Sequence, residues 1–197
     1  MLVYVFAFKF DKQVRMRLQQ LIGVVCYQFL GFTLNLEEGT IIDDFNSLAQ
    51  ELTEELAVKF IVPMLRHYTM GKQVSLVGSL VKFGGLPGGY AYEGAFINRA
   101  IKPLEQVFGE SPELFLKSAE LLGGRRLGLG DVSVEVLAFK GIPLTFILHV
   151  SDEFGAAVNI LYDVSASSFL PTEDLAVLGE LASLRFIEAS KSLKKFV

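Results

Sequence analysis

The chain has 197 residues, 51% of them hydrophobic and 20% charged, with a net charge of −4, which excludes a disordered chain and a sequence-independent grip on nucleic-acid phosphates. A single cysteine, Cys26, excludes an internal disulfide and a thiolate cluster made within the chain, and two histidines without ligand spacing offer no metal site. No apolar run reaches the roughly 18 to 20 residues of a membrane span, and the apolar opening lacks a signal peptide's basic lead, so the reading is one cytoplasmic domain over 1–197 with no membrane partner and no cofactor.

The first element is an amphipathic helix over Asp11–Ile22, with Val14, Leu18, Leu21 and Ile22 at helical spacing. Val24–Leu30 and Phe32–Leu36, split by Gly31, read as strands, and a turn leads to a third at Thr40–Ile42. Cys26 falls in the first of these runs and reads as a small buried hydrophobe. Asp43 and Asp44 offer capping oxygens to a helix whose stripe is Leu48, Leu52, Leu56 and Phe60. Pro63 predicts a break or kink and a second short helix from Pro63 to about Met70, closed by Gly71, and Pro103 predicts a kink in a helix over Glu93–Phe108. Ser111 and Pro112 open a further helix that Gly123 ends.

The strongest β signal lies at about 131–163, where three alternating runs form an antiparallel meander. In step, the runs put Val134, Val136, Phe146, Leu148, Val158, Ile160 and Tyr162 on one face and Ser133, Glu135, His149, Asn159 and Asp163 on the other. A long helix follows Pro171 and Thr172, with Glu173 and Asp174 at its positive end. The fold class is therefore α+β, a sheet with this three-stranded meander packed against several helices.

The stretch "KFGGLPGGYAYEGAF", 82–96, is the candidate ligand loop, because glycines let backbone N–H groups approach an anion. It is neither GxGxxG nor followed by Gly-Lys-Ser/Thr, so a turn around Pro87 competes with the ligand reading. The ligand-binding candidates are Gly88, Gly89, Tyr90 and Tyr92, with Arg99 as the nearby cation. Proton-transfer candidates are Glu93, His149 and Asp163, and a Ser–His–Asp assembly can be drawn from Ser165 or Ser168, His149 and Asp163, without a nucleophile elbow.

"LRHYTMGKQV", "VKFGGLPGGYAYEGAF", "LGGRRLGLGDVSVEV", "PLTFILHVSDEF" and "NILYDVSASSFLPTEDLAVLGEL", in that order over about Val24–Leu184, resemble a prokaryotic family defined only as a domain of unknown function. The resemblance implies a setting in anaerobic bacteria and archaea, near redox or corrinoid metabolism. Some members carry a cysteine-rich iron–sulfur segment, which a chain with one cysteine lacks. It transfers no catalytic residue. The expected function is a non-catalytic binding module for a small anionic ligand or a protein partner. The alternatives are an enzyme of anaerobic redox or corrinoid-linked metabolism using acid/base residues, and a structural subunit, a homo-oligomer included, whose apolar excess a neighbour covers.

Overall fold

The computed structural model describes residues 5–7, 12–45, 55–150, 153 and 155–194. Two antiparallel sheets organise it. Strands β1 (Val5–Ala7), β2 (Cys26–Phe29), β3 (Phe32–Asn35) and β4 (Thr40–Asp43) form a four-stranded sheet in the order β1-β4-β3-β2. Strands β5 (Leu80–Lys82), β6 (Arg125–Leu127), β7 (Val132–Phe139), β8 (Ile142–His149) and β9 (Ala157–Asp163) form a five-stranded sheet in the order β5-β9-β8-β7-β6. The meander of β7, β8 and β9 is thus the centre of a larger sheet, and the class is α+β.

Among the described residues the α-helices are α1 (Lys12–Ile22), α2 (Val62–Met70), α3 (Glu93–Phe96), α4 (Lys102–Phe108), α5 (Pro112–Leu121), α6 (Ala166–Phe169) and α7 (Thr172–Lys194). Registers Val134↔Phe146↔Ile160 and Val136↔Leu144↔Tyr162 are in step, so the aliphatic face forms as the alternation requires. All of its residues are buried, and Phe186 of α7 closes on Phe146 at 4.6 Å between ring centroids and on Phe115 of α5 at 5.3 Å. Each such aromatic burial contributes on the order of 2 kcal/mol. The small sheet joins the large one at the β7–β8 turn, where Phe29 and Tyr68 each stack on Phe139 at 4.7 Å and the Tyr27 hydroxyl donates to the Ala138 carbonyl at 2.9 Å. On the opposite face of the large sheet His149 is exposed, whereas Ser133 and Asp163 are sealed.

Both prolines that predicted kinks are accommodated in the same way. A π turn, Ala57–Ile61, precedes α2 with Pro63 as its second residue, and another, Ile97–Ile101, precedes α4 with Pro103 in the same place. Proline lacks an N–H and its ring collides with the carbonyl four residues back, so the preceding turn widens instead of breaking. Leu48 and Leu52 of the expected stripe lie outside the described residues, while Leu56 and Phe60 continue it into the first π turn.

Several local expectations are corrected. Cys26 is exposed, because β2 is the outer strand of its sheet and the residue opens that strand. Ser111 holds the N-cap position of α5 without a side-chain cap, its carbonyl accepting from the Phe115 N–H instead. Gly71 does close α2 as expected, with an extended backbone, φ −66°. A Cβ there would stand 2.1 Å from the Phe169 carbonyl oxygen, and close approach of the two backbones is why it is glycine.

Candidate functional site

The glycine-rich stretch is two short 3-10 turns, Phe83–Gly85 and Gly89–Tyr92, joined by a reversal. Gly88 has φ 77° and ψ −4°, and the Gly89 N–H donates to the Leu86 carbonyl at 2.9 Å, which makes Leu86–Gly89 a type II turn with Pro87 at its second position. A Cβ on Gly89 would lie 2.1 Å from the Phe83 carbonyl oxygen. The reversal is pinned to the start of α7 by the Thr172 hydroxyl, which donates to the Pro87 carbonyl at 2.6 Å. Gly88, Gly89 and Tyr90 are thus accounted for by chain reversal, and Tyr90, at 83% exposure, points into solvent. Gly89→Ala is expected to destabilise the protein by about 2 kcal/mol, since backbone meets the new methyl and cannot step aside; chemical denaturation measures it, and a loss under about 0.5 kcal/mol would contradict the close approach.

Tyr92 and Arg99 behave differently. The helical run that follows the turn carries both toward α7, where they border a crevice with Phe60, Glu173, Val177 and Glu180. Its volume is about 280 Å³, and a neighbouring hollow of about 230 Å³ shares Phe60, Arg99, Val177 and Glu180 and adds Leu56, Leu181 and Leu184. Each π turn supplies one wall residue, Phe60 from the first and Arg99 from the second. Widened turns recur at binding sites because they re-aim side chains that a regular helix would point elsewhere. Beneath the crevice Phe83 stacks on Phe96 at 4.5 Å, and Phe96 tilts against Tyr162. Gly179 lets α7 approach this floor, since a Cβ there would stand 2.3 Å from the Tyr162 hydroxyl oxygen and 2.6 Å from the Phe96 ring.

Arg99 Nε lies 3.0 Å from Glu180 Oε1. No other ion pair or hydrogen bond of Arg99 forms among the described residues, which leaves its two terminal nitrogens for an incoming acceptor. Burial pushes the Glu180 carboxyl above its ordinary value, with the Arg99 guanidinium pulling it back only in part. The crevice therefore couples a partly desolvated carboxylate to a cation with spare donors, above an aromatic floor. The expected site between the glycine stretch and the sheet has a counterpart in a hollow bordered by Lys82, Glu93 and Asn159, and the crevice beside α7 is a second candidate.

Of the proton-transfer candidates, His149 and Asp163 do not meet. His149 pairs with Ala157 at one end of β9, and Asp163 ends the strand six residues on, about 20 Å away at roughly 3.3 Å per residue. His149 Nδ1 is 3.9 Å from Asp131 Oδ2, both exposed, while Asp131 accepts the Val150 N–H. Asp163 accepts from the Val77 and Gly78 N–H groups and from the N–H and hydroxyl of Ser165. Glu93 borders a third hollow, of about 200 Å³, with Lys82, Glu105 and Asn159. A Ser–His–Asp assembly around His149 is excluded by the same separation.

Histidine chemistry gathers elsewhere. His67 Nδ1 is 2.6 Å from Asp174 Oδ2, tying α2 to the first turn of α7, and His67 borders a shallow hollow with Ser167 and Ser168. Sequence reasoning missed this pair because its members stand 107 residues apart. Glu180 and Phe60 were missed for the same reason. Among the described residues no group of three or more His, Cys, Asp or Glu is arranged to hold a metal, and no helix is long and apolar enough to cross a membrane.

A family model described as Domain of unknown function (DUF3786) matches residues 27–185, most of the chain. None of the curated proteins and none of the solved structures matches it.

Proposed function

The chain belongs to this family of unknown function, and from that premise we propose that it is a non-catalytic binding module, holding the anionic group of a small ligand in the crevice beside α7. The observation that carries the reading is the convergence of Tyr92 and Arg99 with Glu180 on one crevice, with the outer nitrogens of Arg99 unclaimed among the described residues. A guanidinium fork binds a carboxylate or phosphate through two parallel hydrogen bonds. The aromatic residues and Val177 supply apolar contact for the rest of the ligand. The anaerobic prokaryotic setting we read rests on the family resemblance alone.

Thermal-shift screening against carboxylated and phosphorylated metabolites tests this. At least one compound is expected to raise the melting temperature, and Arg99→Ala is expected to remove about 2 kcal/mol of its binding, roughly thirtyfold in affinity. Stabilisation by none of them, or stabilisation that survives both Arg99→Ala and Tyr92→Ala, would contradict it.

A second reading is favoured by one observation. Val74, Leu76, Val77 and Leu80 are 41%, 50%, 65% and 40% exposed along the extended run that leads into the outer strand β5. Such an edge suits a protein partner, a second copy of the chain included. Light scattering that finds only monomer at high concentration would remove the homo-oligomer form of this reading.

A further inference from the structure

The crevice holds more than a lone cation. Arg99 brings one positive charge, whereas Glu173 and Glu180 bring two carboxylates to the same walls. A simple anion seated on Arg99 would share the crevice with both glutamates, of which Glu180 is half-buried, and like charges gathered on one crevice repel. A simple cation would satisfy the glutamates and leave the outer Arg99 nitrogens to solvent. A ligand bearing both charges a few bonds apart meets both demands. Next to the Arg99 and Glu180 pair lies the second hollow, walled by Leu56, Phe60, Leu181 and Leu184, with no charged group among the described residues other than Arg99 and Glu180. At about 230 Å³ it lies below the roughly 300–1,000 Å³ of clefts for drug-sized ligands, which suits a single branched or aromatic side chain.

We propose that the ligand is a free α-amino acid with an apolar side chain. Its carboxylate lies on the guanidinium of Arg99, its ammonium on the carboxylates of Glu180 and Glu173, and its side chain in the hollow between Leu56, Phe60, Leu181 and Leu184. This deepens the binding reading above and rests on it. Glu180 keeps Nε of Arg99 occupied, so the carboxylate of the ligand takes the terminal nitrogens. The pair therefore reads the backbone of the amino acid, common to all of them, and the hollow reads the side chain. A short or charged side chain leaves the leucines unfilled or desolvates a charge among them, and is rejected.

Isothermal titration of the whole protein with L-leucine and L-phenylalanine tests this, beside two fragments of leucine, 4-methylpentanoate without the ammonium and isopentylamine without the carboxylate. At least one of the two amino acids is expected to bind, more than tenfold tighter than either fragment and than L-aspartate. Arg99→Lys, which keeps the charge and loses the fork, is expected to weaken binding about tenfold, and Glu180→Gln to bring the amino acid down to the level of 4-methylpentanoate. Arg99 is exposed and Glu180 half-buried, and melting temperatures of the variants within a few degrees of the parent establish that they fold. If 4-methylpentanoate binds as tightly as leucine and needs Arg99, the amino-acid proposal falls and the anion-binding module stands. If neither amino acid binds, the proposal falls, and the metabolite screen decides the module separately.

Discussion

Replacing Arg185 by alanine is expected to lower stability by about 4 kcal/mol, a fall of roughly 10 °C in melting temperature for a domain of this size. The residue sits in α7 at 0% exposure and reaches across to the small sheet. Its Nε donates to the Leu30 carbonyl at 3.0 Å, one terminal nitrogen donates to the Gly31 carbonyl at 2.8 Å and to Asp43 Oδ1 at 2.5 Å, and the guanidinium lies 4.0 Å over the Phe32 ring. Burial lowers its pKa, and Asp43 pushes back. Removing the guanidinium strips Asp43 of its buried cation and leaves the two carbonyls without these donors, costs that no shorter side chain offsets. Arg185→Met, which keeps much of the packing, is expected to recover less than half of the loss, because the electrostatic deficit remains. Chemical denaturation of both variants checks this. If Arg185→Met is as stable as the parent, the ion pair contributes nothing beyond packing, as happens where desolvation outweighs attraction.

Asp163→Ala is the second large effect, expected at about 3 kcal/mol. The carboxylate, 3% exposed, gathers the Val77 and Gly78 N–H groups and both donors of Ser165, and so fixes the segment that enters β5. Burial alone would raise its pKa, but the Ser165 hydroxyl and N–H and the Val77 and Gly78 N–H groups outweigh it, and the net value falls below the ordinary 3.8. A depressed folded-state pKa means the carboxylate stabilises the fold above its unfolded pKa and loses that contribution as pH falls through the folded value. The stability gap between parent and Asp163→Asn is therefore expected to be full at neutral pH and to shrink below about pH 4. A gap that stays constant from pH 7 to pH 2 would show that ionised Asp163 is not what holds the segment.

The sequence made the meander legible because β7, β8 and β9 alternate over seven or eight residues and their turns keep the registers in step. Strands β1, β5 and β6 were not legible, since three residues such as Leu80–Lys82 cannot display a period and pair only because β9, β7 and β4 offer open edges. Arg185 lies inside the long last helix, where nothing in its local sequence marks it. Its partners Leu30, Gly31 and Asp43 lie 155, 154 and 142 residues away, a separation no local pattern encodes. The same limit governed the site. Tyr92 lies in the glycine-rich stretch and Arg99 just after it, and both were named from it, whereas Phe60, Glu173 and Glu180 come from other helices and became visible only once the π turns and Gly179 set the helices together. The glycines that drew attention first serve the turn, and the side chains after them form the crevice.

The account stands or falls on whether ligands enter beside α7. A two-dimensional amide NMR titration with L-leucine reads this directly. The account predicts that Tyr92, Arg99, Val177 and Glu180 shift in a saturable way, while His149 and the hollow around His67 and Ser168 stay still. Shifts centred on His67 and Ser168, or no saturable shift with leucine or any compound from the metabolite screen, would contradict it.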